Sequence, residues 1–238
     1  MKPEVICHIM SSVDGRLLPS RWTPPFNCNN PSELFATYAE LGKQLETDAW
    51  MFGKSTVREM FPEKFMPHTG SHPKAGKIHI GDLFSLRLFV TIDPDADILF
   101  TSGTLRGDNM VVILGTNATD DYLTMLEAQG ISYIVLSDPT DLKKAMTAVR
   151  DNFGIRRISL QGGGIIDGAM LAAGLLDELS LVIYPGIDGL TTSPSIFEYL
   201  GAADERPAAG QSLELLSSQS LDNGIVWLRY KFHSASTH

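Results

Sequence analysis

Cysteine is nearly absent from this sequence of 238 residues, basic side chains are outnumbered by acidic ones, and no apolar run is long enough to cross a membrane. Two cysteines cannot build a disulfide framework or, alone, a zinc site; Cys7 sits in an apolar strand-like run and Cys28 in an Asn-rich loop, and both read as free thiols. With 19 basic against 28 acidic residues, a net charge of −9, the chain lacks the surface that gathers many backbone phosphates, so no nucleic-acid partner is expected. The start, Met1-Lys2-Pro3-Glu4, leads into too short an apolar stretch for a signal peptide. With no membrane span either, the expected location is the cytoplasm. Repeats, low-complexity tracts and the Gly-x-Ser-x-Gly elbow of serine hydrolases are also missing.

What is present is an alternation of strand-like and helix-like segments, the pattern of an α/β fold with helices covering a sheet, expected here as one domain over 1–238. The strand candidates are Val5 to Ile9, Ala49 to Phe52, Leu86 to Ile92, Met110 to Leu114, Tyr133 to Leu136 and Arg157 to Leu160. Most are continuous apolar runs, as in parallel strands buried on both faces. Helices are predicted over Ser32 to Leu45, Asp120 to Gln129, Asp141 to Phe153 and from near Ile165, with capping residues before the first three and Gly130 and Gly154 closing two. In the last quarter Leu179 to Tyr184 is followed by Ser212 to Ser218 and Ile225 to His233, and Asn223-Gly224 between the last two is a hairpin signal. The result is a mixed, mostly parallel sheet ending in an antiparallel hairpin.

The most informative segment is Ile158-Ser-Leu-Gln-Gly-Gly-Gly-Ile-Ile-Asp-Gly-Ala-Met-Leu171, a strand that meets three glycines and turns straight into a helix. Such glycines let backbone approach a ligand closely, and the N–H groups at a helix start attract phosphate, so a pyrophosphate is expected on Gly162, Gly163, Gly164, Ile165 and Ile166. The Rossmann fingerprint is not met, because Asp167 stands where its third glycine belongs and the motif lies late in the chain. Asp48 to Val57 is again strand, glycine and helix start, with Gly53 at the junction and Ser55 and Thr56 able to cap or to bind phosphate oxygens. Ile9 to Leu17 is an apolar strand ending in a polar Asp14-Gly15 turn.

Together, Ser12-Val-Asp-Gly-Arg16, Phe52-Gly-Lys-Ser-Thr56 and Gln161-Gly-Gly-Gly-Ile-Ile-Asp-Gly-Ala169, followed by Ala173-Gly-Leu-Leu-Asp-Glu-Leu179, resemble the signatures of the C-terminal reductase domain of the riboflavin deaminase/reductase family, in order and spacing over nearly the whole chain. The resemblance implies a dihydrofolate-reductase-like three-layer α/β/α fold. It also implies an NADPH-dependent reductase, usually a homodimer, that opens a ribosylamino sugar to a ribityl chain. By position, Met10, Gly53, Thr56, Asp93 and Gly163 to Ala169 would line the cofactor, while Ser12, Asn27 and Gln161 would face the substrate. The sequence departs from the family in three places: Met60 and Phe61 replace an acidic pair, Gln161 replaces a glutamate, and the arginines that hold the substrate's phosphate have no match. An amide can hydrogen-bond a ribityl hydroxyl but supplies no charge. The substrate class is therefore read broadly, as a small heterocycle or sugar-amine such as a pteridine or aminopyrimidine. A non-catalytic nucleotide-binding homologue or a dihydrofolate or pteridine reductase-like enzyme stays open as the alternative.

Two further expectations concern loops. Pro62 to Asp82, rich in proline and glycine and without periodicity, is expected to be a mobile lid. Its histidines, His68, His72 and His79, lack the helical spacing that would aim them at one metal, and none is expected. In the resembling family the strand corresponding to Leu86 to Ile92 ends in residues that can meet the adenosine 2′-phosphate; here Asp93-Pro-Asp-Ala-Asp97 would repel it, with Arg106 able to offset the repulsion. Weak discrimination between NADPH and NADH is the expected result.

Overall fold

A computed structural model describes residues 1–26, 32–66 and 70–234. The chain divides into two compact units, Met1–Pro3 with Asp48–Ile158, and Glu4–Thr47 with Ser159–His238. Mostly parallel strands with intervening helices, ending in an antiparallel hairpin, make the mixed α/β architecture expected from the sequence.

The central stretch of the chain builds β2 (Ala49–Met51), α2 (Lys54–Met60), β3 (Ile78–His79), β4 (Leu88–Ile92), β5 (Thr104–Leu105), β6 (Asp108–Gly115), α3 (Asp120–Ala128), β7 (Ser132–Leu136) and α4 (Leu142–Phe153). Its strands run in the order β2-β4-β6-β7-β3; β2, β4, β6 and β7 are parallel and β3 is antiparallel to β7. The apolar runs read as strands face a core of Phe89, Ile98, Phe100, Tyr122, Leu126 and Tyr133. Thr119 caps α3 by accepting from Tyr122 N, Asp141 caps α4 by accepting from Lys144 N, and Gly154 closes α4 at φ 69°, the left-handed conformation glycine adopts without cost. The predicted caps Ser55 and Thr56 instead lie inside α2, whose N-cap is Gly53.

The two ends of the chain form the other unit: β1 (Glu4–Ser12), α1 (Ser32–Lys43), the last residues of β8 (Arg157–Leu160), α5 (Gly164–Ala172), β9 (Glu178–Tyr184), β10 (Gln211–Ser220) and β11 (Val226–Ser234). The order is β10-β11-β9-β1-β8, with β1 parallel to β9 and β11 antiparallel to both neighbours. Asn223 (φ 58°) and Gly224 (φ 77°) make the turn that their dipeptide predicts. Ile6, Leu41, Leu45, Val182, Tyr184 and Trp227 form this unit's core.

Candidate functional site

In parallel strands the carboxyl ends collect ligands. At the end of β1, Ser12 donates to Asp14 Oδ1 at 2.6 Å and accepts from Arg16 N at 2.9 Å. The Asp14 carboxylate also accepts from Asp188 N (3.1 Å) and Gly189 N (2.8 Å), and Arg16 Nη1 donates to Ser193 O (2.8 Å). The Ser12 hydroxyl, then the Gly189 N–H, lower Asp14 to about 2. The Ser-x-Asp-Gly-Arg motif thus ties the end of β1 to the loop after β9. Ser12 is buried and its hydroxyl is committed both as donor and as acceptor. Met10 is half-buried against the β1/β9 core, and the Gln161 amide donates to Ser159 Oγ at 3.1 Å. Asn27 lies outside the described residues.

Beyond β8, Gly162 takes φ 95°, Gly163 is the N-cap of α5 at φ −74°, ψ 179°, and the peptide between them is cis. A β-carbon on Gly162 would stand 2.9 Å from Ile9 Cδ1, one on Gly164 would strike the Ser195 carbonyl, and one on Gly168 would strike the Glu198 backbone. Packing therefore explains three of these glycines. Gly163 takes an extended backbone that any residue could adopt. No side chain caps α5; Gly162 and Gly164 are buried, Gly163 and Ile166 half-buried, and Ile165 is exposed. An uncapped helix start of this kind is compatible with the expected pyrophosphate.

Directly beneath lies Asp167, in the first turn of α5 and wholly buried, with neither carboxylate oxygen hydrogen-bonded by an N–H or O–H group. Its polar neighbour is the buried Cys7 thiol of β1, a weak donor. Burial holds the Asp167 carboxyl well above the usual range; burial, then Asp167, does the same to Cys7. His8, next along β1, is equally buried but satisfied, with Nδ1 3.0 Å from Ser180 Oγ, Nε2 3.1 Å from Tyr38 O and its ring stacked on Tyr38. Desolvation lowers it to about 4.

In the other unit, Gly53 leads into α2, and Thr56 is half-buried in its first turn. Lys54 carries the chemistry here: its Nζ lies 2.7 Å from Asp93, 2.5 Å from Asp95 and 2.6 Å from Asp97. Arg58 pairs with Asp97 as well. Against burial, which lowers it, the three carboxylates raise Lys54 above its usual range. Asp93, expected at the cofactor, turns inward instead: wholly buried, it accepts from Asp97 N, Ile98 N and the Tyr122 hydroxyl. The expected repulsion of a phosphate by three bare carboxylates is thus reduced by two cations of α2. Arg106 lies over the Trp50 ring, 5.5 Å from its centre, as a cation–π pair.

The Pro62 to Asp82 segment is anchored rather than free over much of its course. Phe65 N donates to Asp97 O, Gly76 N to Val135 O, and Ile78–His79 forms β3. Residues 67–69, His68 among them, lie outside the described residues. His72 Nδ1 is 2.9 Å from Ala118 O, and His79 stacks on Tyr133. Sequence reasoning missed Lys54 and the Cys7–Asp167 pair. The Lys54 cluster had a visible signal, a basic residue at a strand-to-helix turn and three acids in the turn after β4, but no local spacing joins residues 54 and 93.

Residues 3–227 match the family model described as the RibD C-terminal domain. The structure resembles a pyrimidine reductase-like protein of Corynebacterium diphtheriae (TM-score 0.66, 22% identity, covering 97% of this chain and 92% of that one). It also resembles RibD of Acinetobacter baumannii (0.64, 18%, 98% and 58%) and the riboflavin biosynthesis reductase of Saccharomyces cerevisiae (0.58, 14%, 98% and 90%). This chain therefore spans little more than half of the Acinetobacter protein. At these identities the likeness establishes the fold. No helix among the described residues is long and apolar enough to cross a membrane.

Proposed function

The chain belongs to the RibD C-terminal domain family, and from that premise we propose that it is an NADPH-dependent reductase, a single cytoplasmic domain that reduces a small heterocyclic or sugar-amine substrate. 5-Amino-6-(5-phosphoribosylamino)uracil is the type of such a substrate, as the riboflavin reductases among its structural neighbours indicate. The observation that carries the reading is Gly163: it heads an uncapped helix, and its backbone conformation does not require glycine. When bound, the nicotinamide supplies the hydride. The chain supplies the phosphate cradle at the start of α5 and a rigid floor at the end of β1, where Ser12, Asp14 and Arg16 fix the loop at 186–195. Ser12 and Gln161 act here by holding backbone and strand ends in place, which suits positioning of a substrate better than charge chemistry.

The test is calorimetric titration of NADPH into parent and Gly163→Val protein, alongside cofactor oxidation with a panel of acceptors. Gly163→Val is expected to stay folded and to lose affinity at least tenfold, about 1.4 kcal/mol. Equal affinity would overturn the cradle assignment. Binding without turnover on any acceptor would instead favour a nucleotide-binding homologue without catalysis.

We also propose a homodimer. It is supported by β10, an edge strand exposed on both faces that carries Leu213, Leu215 and Leu216 in the open. Sedimentation at micromolar concentration gives the mass directly, and a monomer would remove the proposal.

A further inference from the structure

The carboxyl of Asp167 lies under the proposed phosphate cradle: its Oδ2 is 3.7 Å from where a β-carbon on Gly162 would stand, and its own N–H is bonded to Gly163 O at 3.2 Å. An ionised carboxylate there would be a bare charge in an apolar interior, with neither oxygen hydrogen-bonded by an N–H or O–H group. It would also set a negative charge beneath backbone groups that otherwise attract an anion. The titratable group facing it is Cys7 of β1; Glu198, which packs on the same helix at Gly164 and Gly168, is engaged with Ser195 N at 3.3 Å.

We propose that Asp167 is carried as a neutral acid beneath the Gly162–Gly164 cradle, and that this retained proton is what lets a phosphate settle over the start of α5. A neutral acid removes the repulsion and leaves one O–H to place among the thiol and nearby carbonyls. Asp167 is then a positioning residue that couples nucleotide affinity to pH. Burial, which keeps the carboxyl well above its usual range, supports the same assignment. The coupling rests on the dinucleotide reading of the cradle; the protonation of Asp167 does not.

The decisive experiment titrates NADH, chosen because it has no 2′-phosphate to ionise, into parent and Asp167→Asn protein across the whole pH range in which both stay folded, with the infrared carboxyl band marking where Asp167 ionises. The parent's Kd should weaken by on the order of tenfold once Asp167 ionises, while Asp167→Asn binds with a Kd independent of pH. A second measurement needs no ligand. A carboxyl whose folded pKa is raised contributes stability below its unfolded pKa that is lost as pH rises, so the variant's stability advantage over the parent should grow with pH. Infrared absorption of the parent reads the protonated carboxyl directly, even if Asp167→Asn fails to fold. Parallel pH profiles of NADH affinity in the two proteins would overturn the coupling alone. No NADH binding at any pH would overturn the dinucleotide reading and the coupling with it. An ionised Asp167 in the infrared near neutral pH would overturn the proposal itself.

Discussion

Asp93 and Asp167 are both wholly buried, and both follow soon after the end of a strand, yet their surroundings differ almost completely. Asp93 accepts from two backbone N–H groups and a tyrosine hydroxyl and forms an ion pair with Lys54; Asp167 has a thiol beside it. Burial by itself therefore says little about what a carboxyl does. The donors aimed at it decide, and they make Asp93 a knot that holds its turn closed and Asp167 an acid that has to keep its proton. Lys54 shows the same rule from the other side, since three carboxylates surround it and leave little of its charge for a ligand.

The hardest blow to this comparison would be struck at Asp93. Asp93→Ala strands the N–H groups of Asp97 and Ile98 and removes one partner of a buried pair, so urea unfolding should show a loss of about 3 to 5 kcal/mol. A loss below about 1 kcal/mol would mean that Lys54 is held well enough by Asp95 and Asp97, and that Asp93 is no knot.

His8 sharpens the contrast by titrating in the opposite sense to Asp167. Its folded pKa is lowered from 6.5 to about 4, so it contributes stability that is fully present above pH 6.5 and is lost as pH falls toward about 4. The loss should approach about 3 kcal/mol, measured as the unfolding free energy across that window. A His8→Gln variant should flatten it. A parent profile without this fall would show that His8 charges inside the fold.

The smallest effect is expected at Asp95, the most exposed of the three carboxylates around Lys54. Asp95→Asn should change stability by less than about 1 kcal/mol, because exposed pairs contribute little. If a 2′-phosphate approaches this turn, the same change should raise the kcat/KM ratio of NADPH over NADH by up to about tenfold, a comparison with one accepted substrate. A parent that already prefers NADPH more than about a thousandfold would show that another basic group reads the phosphate.

Much of the fold was legible because its signals are local. Arg157–Leu160 stands as predicted; β1, β6 and β10 extend beyond their apolar cores; Gly154 and Asn223-Gly224 do what their residue types require. The hairpin joining β5 and β6 escaped, since Arg106 (φ 53°) occupies a left-handed position that no residue preference announces, and only Gly107 marks the turn. So did β3, two residues long inside a segment read as a lid. At the site, the triple glycine was visible, but the reasons for Gly162, Gly164 and Gly168 lie with Ile9, Ser195 and Glu198, and no spacing rule reaches that far. Asp93 is expected from the sequence to line the cofactor, and its ion pair with Lys54, 39 residues away, has no local signal.

The unit that carries the cradle is assembled from both ends of the chain. The turn after β1 is closed by the Asp188 and Gly189 amides and by the Ser193 carbonyl, which leave the ribosome more than 170 residues after Ser12. During synthesis, Asp48–Ile158 therefore has its own strands and core in hand while β1 still lacks β9 beside it. The first strand, with Cys7 and His8 on it, is expected to wait as an unpaired apolar segment until β8 and then β9 emerge, and a chaperone that recognises such segments would find its target there.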